Sequence, residues 1–234
     1  MRTIAGCCLT LLLLAGGCDN ATHYDIGTND PKRVVAFGDS ISAGEGSSDG
    51  NGYRSLLEGL FAADGRGGMQ VVNEGDPGAL SDSGVSHVDT VLQRDRPAVM
   101  ITLLGTNDEL LGMPRKQFGA FVGTTSGNLR EIVLAARANK TLVVLSTIPP
   151  VCTEHRQAQR NNIALENEKI VALAAELQAQ DSGVFLADAW GAFLTTSPPD
   201  GCGLINMERG NHPNDAGYAV LAQTYFDALS DARW

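Results

Sequence analysis

The sequence is short of positive charge. It has 17 Lys and Arg against 27 Asp and Glu, a formal net charge of −10. A nucleic-acid binder needs a basic stripe to neutralise phosphates, so that class is excluded. The apolar stretch Ile4 to Leu14 is too short for the roughly 20 residues of a membrane-spanning helix. Four histidines and five cysteines are too scattered for a metal-site pattern, and no metal or cofactor is implied. There is no internal repeat and no low-complexity tract. Apolar residues make up 43% of the 234, enough for a substantial core and against global disorder. The length points to one domain.

The N-terminus reads as an address. Arg2 is followed by an apolar run densest at Leu9 to Leu14, then the small residues Ala15, Gly16 and Gly17, then Cys18. This is the order of a secretory signal peptide. The end of the run resembles a bacterial lipobox, with Ala15 where Leu is commoner. The resemblance implies cleavage after residue 17 and a diacylglycerol on Cys18; an ordinary cleaved signal is the alternative. The expected organisation is therefore a signal at 1–17, a polar tether at 18–32 and one domain at 33–234. The chain would sit at the bacterial cell envelope, lipid-anchored on the periplasmic side, or be secreted. Cys152 and Cys202 would remain in the mature domain, and cysteines in an oxidising compartment can pair. That bond would pin the loop Thr195 to Asn211 near the fourth strand, provided the Cα atoms come close enough.

From Arg33 onward the pattern alternates. Short apolar runs predict strands at Arg33–Phe37, Met69–Val72, Ala98–Leu104, Thr141–Ser146 and Val184–Ala187. Helical spacing predicts helices at Tyr53–Ala63, Val85–Leu92, Leu129–Ala138, Ile163–Leu177 and Ala216–Leu229. Strands of four to seven apolar residues, each followed by a helix, describe a parallel sheet covered on both faces.

In such a sheet, sites form beyond the carboxyl ends of the strands. Four polar constellations lie there: G-D-S-I-S at Gly38–Ser42, V-V-N-E-G-D-P-G at Val71–Gly78, L-G-T-N-D at Leu104–Asp108 and N-H-P-N-D at Asn211–Asp215. Each alone also reads as a turn or a helix cap. His212 is the one histidine in a sharply defined turn, with Pro213 suited to the first turn of a helix.

Taken in this order, the four blocks resemble those of the SGNH hydrolases, also called GDSL esterases and lipases. The match runs from about Arg33 to Leu229, with Ile41 where Leu is commoner. The resemblance implies a three-layer α/β/α sandwich, flavodoxin-like, with a five-stranded parallel sheet. It also implies roles: Ser40 as nucleophile, His212 as its base, and an oxyanion hole from the N–H groups of Ser40 and Gly78 and the side-chain amide of Asn107. These fit the chemistry. A serine hydroxyl needs a base to remove its proton, and preorganised donors at the oxyanion are each worth roughly 10²–10³ in rate.

One position departs from the family pattern. Arg209 stands three residues before His212, where the resemblance implies an Asp that orients the imidazole. An arginine has no acceptor and the wrong charge. Glu208 is a candidate substitute; a backbone carbonyl or another side chain orienting the ring is another reading, and lost catalysis a third. The expected function is a serine esterase acting on carboxylic esters through an acyl-Ser40 intermediate. The alternatives are a carbohydrate O-deacetylase of envelope or extracellular polysaccharide, and a catalytically impaired domain binding glycan or protein. The expected substrate is a small acyl ester or an acylated glycan, with the membrane met through the lipid anchor only.

Overall fold

A computed structural model describes residues 21–111, 124–152, 157–208 and 210–234. The chain enters through β1 (Thr22–His23), which pairs in parallel with the C-terminal β7 (Ala232–Arg233). Between them lies one five-stranded sheet: β2 (Asp30–Gly38), β3 (Gln70–Gly75), β4 (Pro97–Leu103), β5 (Leu142–Ser146) and β6 (Val184–Ala187). Every pairing is parallel, in the order β3-β2-β4-β5-β6.

Successive strand residues point to opposite faces, and both faces are buried. Val34, Ala36, Val99, Ile101 and Val144 fill one core; Val35, Phe37, Met100, Val143 and Leu145 fill the other. This explains why the strands read as continuous apolar runs rather than alternating ones. The first core is closed by α2 (Arg54–Ala63), α7 (Ala189–Thr196) and α8 (Asp215–Ala228), through Leu57, Phe61, Phe193, Tyr218 and Leu221. The second is closed by α3 (Ser81–Asp95), α5 (Thr125–Ala138) and α6 (Gln157–Gln180), through Val88, Leu92, Leu129, Ile132 and Ile170. Each fully buried aliphatic side chain contributes about 1.5–3 kcal/mol relative to exposure. Two short helices, α1 (Ser40–Ala43) and α4 (Thr106–Leu111), sit at the carboxyl edge. The arrangement is the α/β/α sandwich, and its strand order turns at β2, which is flanked by β3 on one side and β4 on the other. That turning point is where α/β sheets place their ligands.

The tether expected at 18–32 is corrected in its extent: the chain is folded from residue 21, and residues 21–32 belong to the domain. Their side chains are polar, but their backbone is engaged. Thr22 N–H donates to Asp231 O and Tyr24 N–H to Arg233 O. Tyr24 packs edge-on against Phe185, and the Trp234 indole donates to Pro31 O. The signal region and Cys18 lie outside the described residues, as do His155 and Arg209. Three helices are longer than their apolar periods. α3 begins at Ser81, α5 at Thr125 and α6 at Gln157, because their first turns are polar and carry no apolar period. No helix among the described residues is long and apolar enough to cross a membrane.

The loop before α8 is held to the end of β5. Cys152 and Cys202 are joined by a disulfide with a Cα–Cα distance of 5.5 Å, and Cys152 N–H donates to Gly210 O at 2.7 Å. Arg160 lies over the Trp190 ring and donates to Val151 O. The bond closes a loop with a sequence separation of 50. Replacing both cysteines by serine is expected to cost about 2–4 kcal/mol. Urea unfolding checks this: a midpoint unchanged from that of the unaltered chain would show that the disulfide does not stabilise the fold.

Candidate active site

The site begins where β2 ends. At Gly38 a side chain has no room: an added Cβ would lie 2.2 Å from Leu103 O and 2.3 Å from Ser42 Oγ. The chain can therefore turn tightly from the sheet into α1. Asp39 caps that helix, its carboxylate accepting from Ile41 N–H at 2.9 Å. This leaves Ser40 as the first helical residue. Gly44 closes the helix at φ +93°.

Ser40 Oγ lies 2.8 Å from His212 Nε2. Both side chains are largely shielded, at 7% and 6% exposure for the residues. The histidine is carried by the turn leading to α8. Asn214 caps α8, accepting from Gly217 N–H at 3.0 Å. The turn is tied to its own loop by Asn206 N–H to His212 O and Asn214 N–H to Leu204 O. A hydroxyl at hydrogen-bond distance from an imidazole nitrogen can pass its proton to it and become a nucleophile.

The other two blocks are tied to each other. The Asn107 side-chain N–H donates to Ala79 O at 2.9 Å. Asp108 accepts from Ser81 N–H at 3.0 Å and from Ser81 Oγ at 2.7 Å. Asp108 therefore caps α3, a helix not its own, and burial raises its pKa above the ordinary carboxylate value. Asn128 adds a bond to Ser81 Oγ at 2.8 Å. Together these pin the segment 79–81 to the end of β4. Gly78, just before it, is at φ +87° and faces open space. Among the described residues, the N–H groups of Ser40 and Gly78 make no hydrogen bond. One hydrogen of the Asn107 amide is engaged, which fixes the amide plane and leaves its second N–H to donate.

Sequence reasoning offered Glu208 as the acid. The structure does not place it at the histidine. Glu208 is exposed, and its carboxylate makes no hydrogen bond or ion pair among the described residues. The carboxylate at His212 belongs to Glu45, whose Oε2 lies 3.5 Å from Nε2. Glu45 was missed because it falls in a glycine-rich loop with no apolar period. Arg54 donates to Ser42 O and Gly50 O and braces that loop. A cavity of about 200 Å³ opens between β3 and α3, lined by Phe37, Asp76, Ala79 and His87 among others. Ser40 and His212 do not line it.

Asp39 is fully buried beside the serine, and burial raises its pKa from 3.8 to about 6, against the pull of the Ile41 N–H. A raised carboxylate pKa means that the fold holds the proton more tightly than the unfolded chain. The stabilisation is complete below pH 3.8 and is lost as pH rises through about 6. The total is about 3 kcal/mol. Asp39→Asn keeps an oxygen for the cap and removes the charge. The variant is expected to gain stability relative to the unaltered chain as pH rises from 4 to 7. Thermal melts of both across that range check this; curves that stay parallel would contradict a buried, strained charge at Asp39.

The fold agrees with that of known proteins. Residues 36–220 match the model of the GDSL-like lipase/acylhydrolase family. The chain is 32% identical over 119 residues to the esterase TesA of Pseudomonas aeruginosa, covering 50% of this chain and 55% of TesA. It thus spans about half the length of the curated relative it matches. A crystal structure titled TesA superposes with a TM-score of 0.62 at 25% identity, covering 84% of this chain and 97% of that one. A variant of Axe2, an acetyl xylan esterase from Geobacillus stearothermophilus, gives a TM-score of 0.69 at 19% identity, covering 88% and 98%, which shows a shared fold. With a matching domain that takes in Ser40, Gly78, Asn107 and His212, the chain belongs to the GDSL-like lipase/acylhydrolase family.

Proposed function

We propose that this chain is a serine esterase that hydrolyses carboxylic esters through an acyl-Ser40 intermediate. The observation that carries this reading is the 2.8 Å contact between Ser40 Oγ and His212 Nε2 at the turning point of the sheet.

The steps follow from the geometry. Ser40 Oγ attacks the ester carbonyl carbon while its proton passes to His212 Nε2. The carbonyl oxygen becomes an oxyanion, taken up by the N–H groups of Ser40 and Gly78 and the second N–H of Asn107. The tetrahedral intermediate collapses, the C–O bond to the alcohol breaks, and His212 gives that oxygen the proton. Water then attacks the acyl-serine with His212 again as base. The donors cost little to organise at the moment of reaction. Gly78 is held by the pinned segment that follows it, Asn107 by its bond to Ala79 and Ser40 by the Asp39 cap.

We also propose that the chain is exported to the bacterial envelope and lipid-anchored at Cys18. The order of charge, apolar run, small residues and Cys18 supports export and lipid attachment at the bacterial envelope. A labelled fatty acid incorporated by the full chain, and not by Cys18→Ala, is the result this reading requires.

The activity is tested with p-nitrophenyl esters from acetyl to long acyl chains. Ser40→Ala is expected to lower kcat by at least about a thousandfold while leaving the melting temperature within a few degrees of the original. The chain-length profile then separates a small-acyl esterase, which the O-deacetylase reading also requires, from a lipase. Undiminished turnover in Ser40→Ala would remove the serine mechanism.

A further inference from the structure

We infer that Glu45 is a positioning residue for the Ser40–His212 pair, supplying the negative charge that stabilises the imidazolium. This rests on the esterase reading for its catalytic consequence, but not for the contact itself. The 3.5 Å separation between Glu45 Oε2 and His212 Nε2 is an ion-pair distance and longer than a short hydrogen bond. The carboxylate can therefore act on the ring's charge without displacing Ser40 Oγ from Nε2.

The position of Glu45 is built rather than incidental. Its N–H donates to Ser40 O at 3.0 Å, and its carbonyl accepts from Tyr218 OH at 2.7 Å. The backbone of Glu45 thus joins the serine's own residue to the helix behind the histidine. The next residue, Gly46, is at φ +97°, and a Cβ there would lie 2.8 Å from His212 Cβ and 2.6 Å from Pro213 O. Two residues on, Ser48 N–H donates to Asp215 Oδ1 at 2.8 Å. The loop is thus seated on the histidine turn at Glu45, Gly46 and Ser48, which fixes the backbone that carries the carboxylate.

The chemistry calls for such a group. When Ser40 attacks, its proton moves to Nε2 and the ring becomes cationic. In the family pattern an Asp three residues before the histidine meets that charge, and here that position is Arg209. An opposite charge within about 4–6 Å favours the charged form of an ionisable group. Other ionisable groups on the packed elements are Asp39 beneath α1, Arg54 of α2, Asp215 and Tyr218 of α8, and Glu208 and Arg209 of the histidine's own loop. Asp39, Arg54, Asp215 and Tyr218 are engaged in the bonds already described.

The test is the titration of His212 followed by proton NMR of the imidazole ring in the full chain, in Glu45→Gln and in Glu45→Asp. In Glu45→Gln the pKa of His212 is expected to fall by about 0.5–1 unit. The acid limb of kcat/KM for p-nitrophenyl acetate should move down by the same amount, and the plateau should fall about three- to tenfold. Glu45→Asp should recover part of both shifts. A merely structural role would lower the melting temperature and leave the titration in place. A His212 titration unchanged in Glu45→Gln overturns the inference, whatever happens to the rate. Activity surviving in Ser40→Ala would instead overturn the esterase mechanism, and the NMR titration would still decide the role of Glu45.

Discussion

Two side chains separated by 172 positions in the chain meet at 2.8 Å, and much of the polar bonding outside the sheet serves that meeting. The serine's side is fixed by close packing: a Cβ at Gly38 would lie 2.2 Å from Leu103 O and 2.3 Å from Ser42 Oγ, so only a glycine fits where β2 gives way to α1. The histidine's side is fixed by attachment. Its loop is bonded to the end of β5 through the Cys152–Cys202 disulfide and the Cys152–Gly210 hydrogen bond. It is bonded to the loop that follows Ser40 through Tyr218 and Asp215.

The same logic governs the opposite wall. Gly78 comes from the loop after β3 and Asn107 from the first turn of α4, after β4. They are brought together by hydrogen bonds among Ala79, Ser81, Asp108 and Asn128. Three of these four are polar residues in largely buried positions, where leaving a group unpaired would cost about 1–3 kcal/mol. Satisfying them therefore imposes one loop geometry. In this sense Asp108, which has no place in the proposed proton transfers, sets where Gly78 can stand.

Much of this was legible in the sequence, for physical reasons that also mark where legibility ends. The five strands were readable because both faces of a parallel sheet are apolar, so V-V-A-F and T-L-V-V-L-S stand out without any knowledge of their partners. The long helices were readable from their apolar spacing but not from their ends, since α6 begins with solvated turns. The short α1, α4 and α7 have too few turns for a period to register. Ser40, Gly78, Asn107 and His212 were picked out from four blocks in order, and the fold sets Ser40 against His212 at 2.8 Å; the roles given to the four belong to the proposed mechanism. Residues 21–32 misled because polarity was taken for looseness, while their order comes from backbone bonds to the far terminus. Glu45 was invisible for a similar reason: its meaning lies in a contact with a residue far along the chain.

The charges around the pair give the site a direction. Asp39 lies on the serine's side, fully buried, and burial favours its neutral form as pH falls toward 6. Glu45 lies on the solvent side, 36% exposed at its side chain, with its carboxylate 3.5 Å from His212 Nε2. An ionised group directly beneath the nucleophile would act on the developing oxyanion as well as on the imidazolium, opposing one while favouring the other. A carboxylate beside Nε2 and toward solvent acts chiefly on the ring. The fold thus separates by burial two acidic residues on either side of α1. The deep one caps the helix that presents the serine, and the shallow one faces the histidine.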